Sequence, residues 1–485
     1  MLTTPEKRPR FFWLSVTLIL LVSLGLRIWE LGEASLWTDE VLSEIRAQST
    51  PADAIDSLLD AGNQTPLYYT LLRVVPDNNQ TALRLPSALL GVLGTALLIF
   101  VAIQLYQNYH LALWAGALLA VNPFHVWLSR TARPYVLLFA LSLLASYFFL
   151  MLLRGKRGRS IWAGFIISSM LMYLTHYSSV ALPVAQFGVL IFNFRDKRSL
   201  ILRWVGAQAA ASIPLSVWLL AFLQHAAERG GDWVPIPHLA DLFITLWSMT
   251  VGYDGSLNWY VVPGLFTVVA GLSAGVTITL WRARRNPDNT YWLLLILAPL
   301  VPVFVMSVVY RSIYVDRYFM VFLPALLILI LIGWQGFPRP AARAALLLLI
   351  VGSIAQVVTS FNEGSYERAD WEGVADYISA EYEAGDTVMV ERFNTRYAFS
   401  RYLTTDARAA MQIIELDDAT PGDSARLWVV YRNPIEDIHR QGEMPDFDPF
   451  AADLSPMGDW LIPRRESVLM QRSFVGVTIL LLENP

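Results

Sequence analysis

Cysteine is absent from all 485 residues, which excludes a disulfide framework, a thiolate metal site and a thiol nucleophile, and leaves the redox compartment undecided. Charge is scarce as well: Asp, Glu, Lys and Arg make up 16% of the chain, against about 25% in an average soluble protein. Neither sign dominates, the formal net charge being -4. With no basic arm or broad basic surface, nucleic-acid binding has no support. The six histidines are scattered, no two of them at an HxxxH ligand spacing, so no histidine-based metal site and no cofactor is expected. A divalent cation at Asp39 and Glu40 is not excluded. Internal repeats are also missing, which counts against repeat-built transporter folds.

What the chain has instead is apolar mass, 55% of its residues, arranged in runs long enough to cross a bilayer core of about 30 Å. The first, from Phe11 to Ile28, follows a basic start but lacks a small-residue cleavage site, and reads as a retained helix rather than a signal peptide. Helices are expected near 11–28, 85–105, 111–128, 134–153, 161–175, 178–194, 202–223, 259–281, 291–310, 318–334 and 342–358, about eleven in all. Lys7, Arg8, Arg10, Arg154, Lys156, Arg157, Arg159, Arg195, Lys197, Arg198, Arg282, Arg284, Arg285, Arg339 and Arg343 sort to one side of that topology. By the positive-inside bias that side is cytoplasmic, with the N-terminus inside. The other side receives the long segments 29–84 and 224–258 and everything after 358. Within it, 53–60 and 239–250 carry apolar residues at helical spacing, as helices lying flat at the interface would. The tail 359–485 has a soluble composition: an amphipathic helix at 370–382, then strand-like runs at 387–391, 427–431 and 477–482, together a small α/β domain.

The polar residues with chemical potential fall on the exported side. Asp39 and Glu40 stand just beyond the first helix, flanked by Trp29 and Trp37. A carboxylate at that depth, near a cation, can remain ionised and accept a hydroxyl proton. The plain alternative is a solvated acidic turn, or Asp39 capping a helix that starts at Val41. Arg130 and Arg133 break the charge bias of the loop that holds them, and a guanidinium fork fits phosphate oxygens, whether of a substrate or of ordinary headgroups. Arg311, Asp316, Arg317 and Tyr318 form a second cluster, in which Asp316 and Arg317 are also readable as a local ion pair. Tyr68, Tyr135 and His176 are further candidates for polar ligand contacts. The lone histidine is more often structural.

In order, the segments LGEASLWTDE at 31–40, TPLYY at 65–69, RLPSALLG at 84–91, NPFHVWLSRTARPY at 122–135 and DRY at 316–318 resemble the GT-C membrane glycosyltransferases. They are most similar to the branch of protein O-mannosyltransferases, lipid A aminoarabinose transferases and RgtA/B/C/D-like bacterial enzymes. The resemblance spans roughly residues 20–335 and implies a GT-C-like transmembrane domain, 1–358, followed by an extracytoplasmic α/β domain, 359–485. It implies transfer from a polyprenyl-phosphate sugar to a hydroxyl acceptor on lipid, glycan or protein, inverting, at the outer face of the cytoplasmic membrane. Asp39 becomes the general base, Glu40 a positioning or secondary acid, and Arg130, Arg133 and Arg317 the donor-phosphate ligands. Tyr68, Tyr135, His176 and Arg311 become possible substrate contacts. The family often has a histidine and a second proline ahead of LeuTyrTyr, where this chain has Gln64 and Thr65. A flippase or transporter of lipid-linked saccharides is the competing reading, and it requires ionisable residues near mid-membrane. The expected helices carry almost none away from their ends.

Overall fold

The computed structural model describes residues 8–61, 64–75, 79–225, 234–252, 261–283, 286–362, 369–391, 393–416, 426–432, 450 and 456–483. Lys7, Asn63, Arg284, Arg285, and parts of the second long loop and of the tail lie outside them.

Each expected apolar run is helical. Helix α1 (Phe12–Ile28) leads into a first loop that folds into α2 (Thr38–Gln48), α3 (Pro51–Ala61) and α4 (Leu67–Leu72). Then come α5 (Gln80–Tyr106), α6 (Tyr109–Val121), α7 (Pro123–Ser129), α8 (Tyr135–Leu153) and α9 (Arg159–Tyr173). A 3-10 turn, Tyr177–Val180, opens α10 (Ala181–Phe192), followed by α11 (Phe194–His225) and the loop helix α12 (Leu239–Ser248). The last four are α13 (Val262–Trp281), α14 (Pro287–Val309), α15 (Leu323–Trp334), entered through a 3-10 segment at Asp316–Phe322, and α16 (Arg339–Asn362). Among the described residues, seven helices are long and apolar enough to cross a membrane, and α6 with α7 makes an eighth if the pair, bent by 59°, is one span. Helices α1 and Tyr177–Phe192 are shorter, and α9 has 15 residues. The chain is a multi-pass membrane protein. All of α15 and most of α8 are buried, while Leu18, Leu202 and Phe266 face outward.

The α6–α7 break has an identifiable cause. Pro123 cannot donate into α6, and the Asn122 side chain caps the new helix by accepting from the His125 amide. The carbonyls left open at the end of α6 need donors. Arg27, fully buried on α1, supplies them to Ala120 at 3.0 Å and Leu119 at 3.4 Å, and reaches His125 Nδ1 at 2.7 Å and Ser129 at 3.2 Å. Gly91 lets α7 and Arg27 approach α5, since a Cβ there would lie 2.3 Å from Ser129 Oγ. At the opposite end of the bundle Arg154, from the basic set, pairs with Asp288 at the start of α14.

The tail forms a five-stranded sheet in the order β2-β1-β3-β5-β4. Its elements are α17 (Trp371–Glu381), β1 (Thr387–Val390), α18 (Phe393–Tyr402), α19 (Thr405–Ala410), β2 (Gln412–Glu415), β3 (Arg426–Arg432), α20 (Pro456–Leu461), β4 (Val468–Phe474) and β5 (Val477–Glu483). β1 runs parallel to β2 and β3, and β5 antiparallel to β3 and β4. Period-two alternation puts Val388, Val390, Trp428 and Val430 against α17 and α18, and Met389, Leu427, Val429 and Tyr431 against α20. Buried Asp386 ties β1 to β3 by accepting from Arg426 at 2.7 Å and from the Trp428 indole at 2.9 Å.

Helices α13 and α15 meet through glycines. A Cβ on Gly333 would lie 1.8 Å from the Gly271 carbonyl oxygen, and one on Gly275 2.1 Å from that of Leu329. These neighbours are backbone atoms that cannot rotate away, and Gly271 and Gly275 have the small-xxx-small spacing of close membrane packing. Gly333→Ala is therefore expected to destabilise the protein by about 1–3 kcal/mol, read as a lower thermal midpoint in detergent. An unchanged midpoint would show that the two helices separate freely.

Candidate active site

Helix α2 begins at Thr38, with Trp37 as its N-cap residue. Asp39 and Glu40 therefore occupy the first turn, where carboxylates are favoured by the helix dipole, and the expectation of Asp39 as the cap of a helix starting at Val41 does not hold. Consecutive helical residues point about 100° apart. Glu40 accordingly turns into the protein and Asp39 toward an opening.

Glu40 is fully buried. Arg84, at the start of α5, meets it in a fork, Nη2 at 2.6 Å and Nε at 2.9 Å, and the Ala132 amide donates to the same carboxylate at 2.7 Å. The rest of the Arg84 guanidinium binds the carbonyls of Leu31, Ala34 and Ser35 at 3.0, 2.8 and 3.0 Å. Glu40 thereby fixes the first loop, α2 and the Arg130–Pro134 turn relative to one another.

Asp39 has a side chain 29% exposed, and Arg133 lies 3.3 Å from its carboxylate. Burial alone would raise its carboxyl, but Arg133, Arg317, Arg432 and Arg46 outweigh that and hold it below the ordinary carboxylate value. Arg133 also donates to the Asp39 carbonyl at 3.3 Å and to the Tyr69 hydroxyl at 3.2 Å. Arg317 donates to the Tyr135 hydroxyl at 3.1 Å and stacks over Trp37, 5.6 Å from the ring centre. His176 packs against Tyr135 and Tyr318 at 5.6 and 4.9 Å. Its Nδ1 accepts from the Ser178 amide at 3.2 Å, so the neutral ring carries its proton on Nε2. That atom is buried without a hydrogen-bond partner. Burial, then Arg133 and Arg317, push the imidazole down to about 3, so it is neutral at ordinary pH.

The expected residues thus divide. Asp39, Arg133, Arg317, Tyr135 and His176 come together. Arg130 does not face Asp39: its terminal nitrogens cap the end of α1 through the carbonyls of Leu26, Trp29 and Glu30, and its plane lies 4.5 Å from the Phe361 ring centre. It holds a turn in which Glu30 adopts a left-handed conformation, φ 47°. Tyr68 bonds Ser87 at 2.7 Å, and it is Tyr69 that reaches Arg133. Gln64 accepts from Tyr69 at 2.7 Å, which gives a role to a position where the chain departs from the family pattern. Asp316 accepts from Thr245 at 2.6 Å, and Arg311 is exposed beyond α14. Arg84 had a signal in the RLPS segment. Arg46 and Arg432 had none, because only the folded chain brings α2 and the end of β3 to Asp39. A cavity of about 20 Å³ bordered by Glu40, Arg84 and Arg130 holds no more than a water. No group of three or more His, Asp or Glu residues is placed to hold a metal ion among the described residues.

Residues 66–221 match the profile of the dolichyl-phosphate-mannose-protein mannosyltransferase family. No curated protein matches the chain. Among solved structures, ArnT from Cupriavidus metallidurans bound to undecaprenyl phosphate is similar with a TM-score of 0.58 at 13% identity, covering 98% of this chain and 100% of that one. Its apo state gives 0.57 at 13% identity, covering 97% and 99%. The Archaeoglobus fulgidus oligosaccharyltransferase, in complex with Zn and sulfate, gives 0.54 at 12%, covering 86% of this chain and 67% of that one. The chain shares the fold of these solved structures along most or all of its length.

The two carboxylates predict opposite behaviour on neutralisation. Glu40→Gln leaves the Arg84 charge buried without its counter-ion and is expected to destabilise by about 3–5 kcal/mol. Asp39→Asn, at a partly open position, should leave the thermal midpoint within a few degrees of wild type. Equal losses in the two variants would contradict the division.

Proposed function

We propose that this chain is a GT-C-type membrane glycosyltransferase that moves a sugar from a polyprenyl-phosphate donor to a hydroxyl acceptor at the outer face of the cytoplasmic membrane, with inversion at the anomeric carbon. The observation that carries the reading is one partly open carboxylate, Asp39, within electrostatic reach of four arginines, Arg133, Arg317, Arg432 and Arg46. Such an excess of fixed positive charge in a shielded site is matched by a phosphate, and it stabilises a leaving group whose negative charge grows in the transition state. Support for the donor class comes from the mannosyltransferase family profile and from the undecaprenyl phosphate held by the structurally similar ArnT.

In this mechanism the acceptor oxygen attacks the anomeric carbon, its proton passes to Asp39, and the bond to the phosphate oxygen breaks with the electron pair leaving on phosphate. Arg133 and Arg317 hold that phosphate. The Nε2 proton of neutral His176 is a further donor at the same place, and Tyr135 fixes Arg317. Glu40 acts through Arg84 and Ala132 as a positioning residue. Arg130 takes no part in phosphate binding in this reading, because its forks are committed to α1. The one-sided distribution of the site supports an outer-face reaction, since Asp39, Arg133, His176 and Arg317 all lie at the end of the bundle opposite Arg154 and Asp288.

Release of polyprenyl phosphate from a panel of polyprenyl-phosphate sugars measures the reaction. Asp39→Asn should reduce release by at least about 10²-fold at unchanged expression, and full activity in that variant would reject the assignment. The pH dependence has a definite sign. A base held below its ordinary value stays ionised as pH falls, so the acid limb of kcat/KM lies below the free Asp value of about 4. Arg133→Gln removes a charge that favours the ionised form and moves the limb upward. Because His176 is already neutral, no limb near 6.5 belongs to it. A wild-type limb at 6 to 7 that Arg133→Gln leaves in place would exclude Asp39 as the base.

A further inference from the structure

The soluble tail is joined to the helix that carries Asp39 by a specific set of contacts. Glu44, one turn beyond Glu40 on α2, is buried, and Arg401 from α18 meets it in a fork, Nε at 2.6 Å and Nη2 at 3.0 Å. The neighbouring Tyr402 hydroxyl accepts from the Leu36 amide at 2.5 Å, just ahead of α2. The Glu372 amide donates to the Ser35 hydroxyl at 3.3 Å. On one face of α2, then, two carboxylates at i and i+4 are each gripped by an arginine, Glu40 from the membrane helix α5 and Glu44 from the C-terminal domain. The third carboxylate, Asp39, is left on another face.

We infer that the C-terminal domain is a working part of the site, clamping α2 through Arg401–Glu44 and Tyr402–Leu36 so that Asp39 is held in register with Arg133. The inference rests on the transfer reaction proposed above for its kinetic consequence, though not for the clamp itself. Arg401 and Glu44 act through α2 and are positioning residues. Forked pairing to a buried carboxylate constrains two angles as well as a distance, and a catalytic group displaced by about 1 Å can lose about 10²-fold in rate. The end of β3 adds a direct contribution from the same domain, because Arg432 is among the arginines that bear on Asp39. The tail therefore supplies both a grip on the helix and part of the charge around its carboxylate.

The test uses the full chain in lipid nanodiscs. An open cleft of about 760 Å³, bordered by Asn79, Gln80, Glu372, Arg401 and Thr404, leaves room for Arg401→Glu without overpacking. Hydrogen exchange of the 38–48 amides reports the clamp without reference to activity. Arg401→Glu should speed exchange there by roughly tenfold or more, with α8 amides unchanged, and Glu44→Lys combined with Arg401→Glu should restore it by reversing the pair. In the transfer assay the single variant should lose roughly 10- to 100-fold in kcat with little change in KM, and the reversed pair should recover most of it. Wild-type exchange at 38–48 in Arg401→Glu would overturn the inference. So would faster exchange accompanied by unchanged kcat, since the domain would then hold α2 without positioning Asp39. A wild-type protein inactive with every donor refutes the transfer reaction instead, and the exchange comparison still decides the clamp.

Discussion

A carboxylate removed from water keeps its charge only if donors replace the lost solvent, and Glu40 is met by donors from two separate places in the chain. Arg84 brings α5 to it, and the Ala132 amide brings the turn between α7 and α8. Because the remaining Arg84 donors take the carbonyls of Leu31, Ala34 and Ser35, a single buried ion pair closes the path from the end of α1 to the start of α2. Every other feature of the site is measured from that pair. Arg133 is one residue beyond Ala132 and Asp39 one residue before Glu40, so fixing Glu40 to Ala132 brings Asp39 and Arg133 together. Arg130 reinforces the arrangement from the opposite side by capping α1, and Arg27 holds the bend that lets α7 reach this turn.

Helix geometry then decides what each acidic residue of α2 can do. Glu40 and Glu44 share a face and are both closed off by arginines, while Asp39 is turned away from that face and remains 29% exposed. A two-residue acidic motif is thus separated into a buried anchor and a partly open carboxylate. Arg317, over Trp37, and Arg133, bonded to Tyr69, both bear on the same partly buried carboxylate. Shielding strengthens its coupling to the surrounding charges.

The sequence reading reached the membrane architecture because long apolar runs have few alternatives in lipid: every expected run is a helix, and the loop helices α3 and α12 lie where apolar residues recur at helical spacing. It reached β1, β3 and β5 because central strands are apolar on both faces. It missed β2 and β4, which are edge strands with exposed or half-buried positions and carry little pattern. At the site, Asp39, Arg133 and Arg317 were legible as charges out of place near an interface. The different fates of Arg130 and Arg133 were not, since both are buried arginines in one loop and only the direction of each side chain separates a helix cap from a ligand of Asp39. Nor was the part played by Arg401 and Arg432, for a contact between residues more than 350 positions apart, as in Glu44–Arg401, leaves no trace in local periodicity.

A carboxylate held below its ordinary value is a weak base, which is at odds with the general-base role proposed for Asp39 unless the substrate itself changes the balance. In the free protein Arg133 and Arg317 both favour the ionised form, so the group is charged and ready but holds a proton poorly. A bound phosphate would bring compensating negative charge to those same guanidinium groups, and in a shielded site that charge acts on Asp39 over the full distance with little screening. The carboxyl would then rise toward a value at which it can accept a proton from an attacking hydroxyl. On this reading donor binding and base activation are one electrostatic event, and a site without donor is a poor base that wastes no proton transfer on water. The need for such coupling also explains why an ion pair, which in isolation would only neutralise the catalytic group, stands at the centre of the site.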